Sequence, residues 1–90
     1  MSNSGAAPFL SVVIPVHNQT DLLKKLLRSI RDEVMAGDSY EVIVTDDGSA
    51  KAVSAEIGDE GRGVTIIRHE RPKGAAAARN AGSEVARGEV

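Results

Sequence analysis

The sequence contains no cysteine and no tryptophan, and only one phenylalanine and one tyrosine. Without cysteine there is no disulfide framework and no thiolate metal site. That suits a reducing compartment. With so few rings, the core has to be aliphatic, built from Val, Ile, Leu and Ala. An excess of one charge is missing too. Eleven Lys and Arg stand against 13 Asp and Glu, for a formal charge of −2. Wrapping nucleic acid demands a basic surface, and none is indicated. No apolar run approaches the roughly 18 residues that a membrane span needs. The opening MSNSGAAP (1–8) lacks a basic n-region and an apolar h-region. It reads as a flexible tail rather than a signal peptide, and a cytoplasmic location is expected.

What is present suits one small domain over 9–90. Ninety residues hold one core, and 41% hydrophobic content is ordinary for a globular chain. FLSVVIPV (9–16) is short, apolar and β-branched, and reads as a strand buried on both faces. Pro15 cannot donate to a ladder, so the strand is expected to finish about there. In 20–37, Leu23, Leu26, Leu27, Ile30 and Val34 recur at helical spacing. Thr20 or Asn18 can cap that helix and Gly37 can stop it. YEVIVT (40–45) is a second strand, KAVSAEIG (51–58) a short helix, EGRG a turn and VTIIR (64–68) a third strand. GAAAARNAGSEVARG (74–88) is a third helix, entered through Pro72 and Gly74. Val90 reads as the first residue of a fourth strand, so the sheet is expected to break off there.

Strands alternating with helices imply an α/β fold with a parallel sheet. Right-handed crossovers then gather the C-terminal ends of all strands on one edge, where ligands sit in open α/β sheets. PVHN (15–18), DDGS (46–49) and RPKG (71–74) all fall on that edge. Strand side chains alternate, so Asp46 and Asp47 should point to opposite faces. One is expected to face a ligand cleft and the other to bond loop backbone. DDGS taken alone reads equally as a turn with an Asx cap. His17 can stack on a planar ligand beside Asn18, although a lone loop histidine is commonly a surface residue. No Ser or Cys near it has the context of a nucleophile. GAAAARNAG puts small residues at a helix start, where free N–H groups attract phosphate. It is neither GxGxxG nor a P-loop, and Arg79 and Asn80 read alone as a solvated face.

The ordered set SVVIPVHN, VIVTDDGS and GAAAARNAG resembles the opening of the family 2 glycosyltransferases, inverting enzymes of the GT-A fold. The likeness covers 9–90. It implies a three-layer αβα, Rossmann-like half-domain with a mainly parallel sheet, truncated at the start of the fourth strand. It implies a nucleotide-sugar donor, UDP-linked, and a saccharide, lipid-linked or other hydroxyl acceptor. By that resemblance Pro15, Val16 and His17 line a nucleobase pocket, with Asn18 beside them. Asp47 bonds the base and Asp46 supports the loop. Gly74, Arg79 and Asn80 lie on the helix flanking the nucleotide. The family's Mn²⁺ or Mg²⁺ is held by a later D-x-D that this sequence lacks, and the catalytic base lies later still. Pro72 stands where many relatives carry Asn. Two other readings compete with this one. The first is a non-catalytic α/β module that binds nucleotide or self-associates through its open sheet edge. The second is a response-regulator-like or flavodoxin-like domain, which suits acids at strand tips but not the three motifs together.

Overall fold

The computed structural model describes residues 10–33 and 39–90. Its elements alternate as the sequence predicts. Strand β1 is Leu10–Val16, helix α1 Thr20–Glu33, strand β2 Tyr40–Asp47, helix α2 Val53–Glu56, strand β3 Thr65–His69 and helix α3 Ala75–Val85. A 3-10 turn at Gly58–Gly61 follows α2. The strands form one parallel sheet with β2 in the middle. None of the helices among the described residues is long and apolar enough to cross a membrane.

Sheet alternation sorts the core into two layers of packing. Val16, Val42 and Val44 meet Leu23 and Leu27 of α1, with Val53 and Ile57 closing that side. Burial of each such leucine contributes about 2 kcal/mol. On the opposite face, Ala78 of α3 is fully buried and Gly82 sits directly over Val13, Ile43 and Thr45. The arrangement is α/β in three layers, with α1 and α2 on one side of the sheet and α3 on the other.

β1 ends at Val16, where the sequence reading put its end, with Pro15 inside it. The N–H of Ser11 points away from β2, donating to the Glu89 carbonyl at 2.7 Å. By the two-residue period, the missing donor of Pro15 lies on that same outer edge, where no β2 ladder bond is lost. β1 is half-buried along its middle, and it is β2 that is buried on both faces. β2 also extends two residues past the predicted 45, because Asp46 and Asp47 still pair with Arg68 and His69. The third helix stops at Val85, not 88. The Glu41 carboxylate, backed by the Ser11 hydroxyl at 2.6 Å, captures the Arg87 amide at 2.6 Å and the Gly88 amide at 3.3 Å. That draws the chain off the helix and sets Glu89 in a parallel bridge beside Leu10. Val34 and Gly37, read as the end of the first helix, lie outside the described residues.

Candidate functional site

Parallel strands deliver three loops to one edge, and those loops are bonded to each other. Asp46 and Asp47 point to opposite faces, as alternation requires. Asp46 points toward α2 and its side chain is 1% exposed. Its Oδ1 accepts the Ser49 amide at 3.1 Å and its Oδ2 the Val53 amide at 2.9 Å and the Arg68 guanidinium at 2.6 Å. The Val53 bond satisfies an N–H at the start of α2, for which no intrahelical partner exists.

Asp47 also bonds loop backbone, which corrects the expectation that only one of the two carboxylates does so. Its Oδ1 accepts the Lys73 amide and His69 Nδ1–H, both at 2.9 Å. Its Oδ2 accepts the Gly74 amide at 2.9 Å. The reason lies in how closely the two loops approach. Gly48, at φ +71°, lies where an added Cβ would stand 2.5 Å from the ring of Pro72. Only glycine allows both the left-handed turn and that contact. The contact places the amides of residues 73 and 74 directly against the carboxylate.

His17 and Asn18 lock the β1 loop onto the β2 loop. The Asn18 amide donates to the Ser49 hydroxyl at 2.9 Å, and Asn18 Oδ1 accepts the Ala50 amide at 2.7 Å. That second bond fixes which way the Asn18 carboxamide faces. Its Nδ2 then donates to His17 Nε2 at 3.1 Å. His17 Nε2 is therefore an acceptor, and Nδ1–H donates to the Asp47 carbonyl at 2.8 Å. The two bonds fix the orientation of the ring, which stands as a wall of the site. Asn18 takes φ +56° to do this, a conformation asparagine tolerates better than most residues.

A cavity of about 280 Å³ opens at this edge, lined by Pro15, Val16, His17, Gln19, Asp47 and Ala75. It brings together four residues singled out in the sequence. Gly74 stands at its border as the residue before α3. Asp46 lies behind the wall. Arg79 and Asn80 are exposed on α3 and do not line the cavity. Sequence reasoning missed Gln19, Ala75 and His69. His69 could be found only from register, as the β3 residue opposite Asp47.

Three carboxylates resist protonation, Asp46 and Asp47 at the site and Glu41 at the other end of β2. Burial works against the charge of Asp46, but the Ser49 hydroxyl, the Val53 and Ser49 amides and Arg68 outweigh it. His69, then the Lys73 amide, hold Asp47 below the usual carboxylate range. The Ser11 hydroxyl does the same for Glu41, helped by the residue 87 and 88 amides. A folded-state pKa below the unfolded value means that the unfolded chain binds more protons as pH falls. The stabilisation is thus complete above the unfolded value of about 4 and is lost as pH drops through the lower folded values. Urea unfolding should give level stability from pH 7 to pH 5 and a steep fall below about pH 4. Equal stability at pH 3 and pH 7 would contradict this.

Divalent-metal binding finds no support in these residues. Among the described residues no group of three or more His, Asp or Glu could hold an ion. Asp46 and Asp47 face opposite ways, and most of their acceptor positions are taken by amides, Arg68 and His69. They do not fit the ion that the resemblance implies.

The model of the family described as glycosyl transferase family 2 matches residues 11–90. Glycosyltransferase AglE of Haloferax volcanii is 31% identical over 86 residues, covering 92% of this chain and 28% of its own. Validoxylamine A glucosyltransferase of Streptomyces hygroscopicus is 34% identical over 82 residues, covering 88% of this chain and 18% of its own. Undecaprenyl-phosphate 4-deoxy-4-formamido-L-arabinose transferase of Edwardsiella ictaluri is 47% identical over 58 residues, covering 63% of this chain and 18% of its own. The chain thus spans between 18% and 28% of the length of these relatives.

Proposed function

Because this chain belongs to glycosyl transferase family 2, we propose that it is the nucleotide-binding portion of an enzyme that moves a sugar from a UDP-linked donor to an acceptor hydroxyl with inversion. The observation that carries the reading is the cavity where Pro15, Val16, His17 and Asp47 meet at the C-terminal edge of the sheet. A base enters with one face against the fixed ring of His17. Asp47 accepts an N–H from the base edge. Gly74 and Ala75 border the pocket; the Gly74 amide is taken by Asp47, and the first amide groups of α3 beyond it favour the donor's phosphates. Arg79 and Asn80, further along α3, flank the outer part of the nucleotide.

The names of the relatives carry different sugars, a glucosyl group and a formamido-arabinose. A portion shared among them suits the constant end of the donor, the nucleotide. No residue of this chain is assigned the attack on the anomeric carbon or the deprotonation of the acceptor. A cytoplasmic setting, where nucleotide sugars are made, completes the proposal.

Calorimetric titration with UDP tests it. The chain should bind UDP, and Asp47→Ala should weaken binding by about tenfold or more, because the base N–H loses a charged acceptor. Added Mn²⁺ should change the affinity little. A folded chain that binds no nucleoside diphosphate would remove the proposal.

A further inference from the structure

The reading above leaves His69 without a role, yet this side chain at the end of β3 touches the carboxylate that matters most. Its side chain is only 13% exposed, and Nδ1 lies 2.9 Å from Asp47 Oδ1. A carboxylate offers about four acceptor positions, two on each oxygen. On Asp47 the occupied positions can be counted. Oδ1 takes His69 Nδ1–H and the Lys73 amide, so it is full. Oδ2 takes the Gly74 amide, so one position is left. The two amides belong to backbone and cannot be changed by substitution. The His69 contact is the one occupant that comes from a side chain.

Resting on the base-pocket reading, we propose that His69 is a positioning residue that fixes base choice. By filling Oδ1 it leaves Asp47 a single open acceptor, matched to a base with one ring N–H between two carbonyls, as in uracil or thymine. Guanine presents a ring N–H and an exocyclic amine side by side. It needs an open position on both carboxylate oxygens, and here Oδ1 has none. Adenine and cytosine offer an amine beside a bare ring nitrogen, whose lone pair would face the carboxylate. Discrimination of this kind is strong because a polar group brought into a pocket without a partner loses its hydrogen bond to water.

The test compares dissociation constants for UDP, TDP and GDP in the wild-type chain, in His69→Asn and in His69→Leu. Asparagine can place its amide nitrogen where Nδ1 stands, whereas leucine removes the donor. In the wild-type chain GDP should bind about tenfold or more weakly than UDP or TDP. H69N should keep that ratio. H69L should bring GDP to within about threefold of UDP, because Oδ1 regains an open position. The UDP and TDP arms identify which imide base is preferred, and either preference supports the inference. A side chain that merely supported the fold would weaken all three nucleotides together. An unchanged ratio in H69L would therefore overturn the role of His69 while leaving the pocket intact. Wild-type binding of GDP as tight as that of UDP would also overturn it, and needs no variant to fold. Absence of any nucleotide binding would overturn the pocket reading itself, and this inference with it.

Discussion

Replacing Asp46 with alanine is expected to lower the unfolding free energy by about 3–5 kcal/mol, the range for breaking a buried ion pair from one side. The reason is what the substitution leaves behind. The Ser49 and Val53 amides and the Arg68 guanidinium all lose their acceptor. None of them regains full hydration, because Ser49 and Val53 are buried and Arg68 is half-buried. A domain of this size has a net stability of about 5–13 kcal/mol, so one residue holds a large share of it. With a urea slope of about 1.5 kcal/mol per molar, the midpoint should fall by about 2–3 M. Arg68→Met placed on top of Asp46→Ala should restore part of the loss, since the stranded guanidinium is removed. A midpoint shift under about 0.5 M would show that the Asp46 network does not hold the 46–53 loop.

Gly82→Val is the second large effect, and it acts from the other face of the sheet. A Cβ at residue 82 would overlap Val13 Cγ1 and lie 3.2 Å from the Thr45 hydroxyl. That hydroxyl is already buried without a partner. In a helix interior, alanine in place of glycine gains about 1 kcal/mol of propensity. Overpacking costs about 1–3 kcal/mol, so Gly82→Ala should be mildly destabilising. Valine adds two further methyl groups to a space that does not exist and forgoes most of the propensity gain. It should cost more than about 3 kcal/mol, with α3 lifting from β1 and β2. Because Lys73 and Gly74 lead into α3 and bond Asp47, the same displacement should weaken nucleotide binding. Thermal unfolding of the alanine and valine variants measures the series. Equal stability of wild type and Gly82→Val would mean that α3 does not pack at this distance.

The alternation of strands and helices was legible because apolar periodicity is strong in β1, α1 and β3. Clustering of the three motifs on one edge followed from parallel topology alone. What was not legible depended on partners distant in sequence. The end of β2 was placed too early because Asp46 and Asp47 are polar, and periodicity sees only apolar residues. Pairing with Arg68 and His69 keeps them in the strand. The end of α3 was placed too late because Arg87 and Gly88 are drawn away by Glu41, 46 and 47 residues earlier in the chain. Above all, the cradle of Asp47 is made by backbone amides of residues 73 and 74. Every non-proline residue carries such a donor, so no letter of the sequence announces it.

The most direct test of the central claim is an amide-resolved NMR titration of the chain with UDP. The account predicts shift changes concentrated at residues 16–19, 47–50 and 73–76, around the cavity at the C-terminal edge, with residues 62–64 and 86–89 at the far end unchanged. Shifts centred on that far end, or none at all in a folded chain at millimolar UDP, would contradict it.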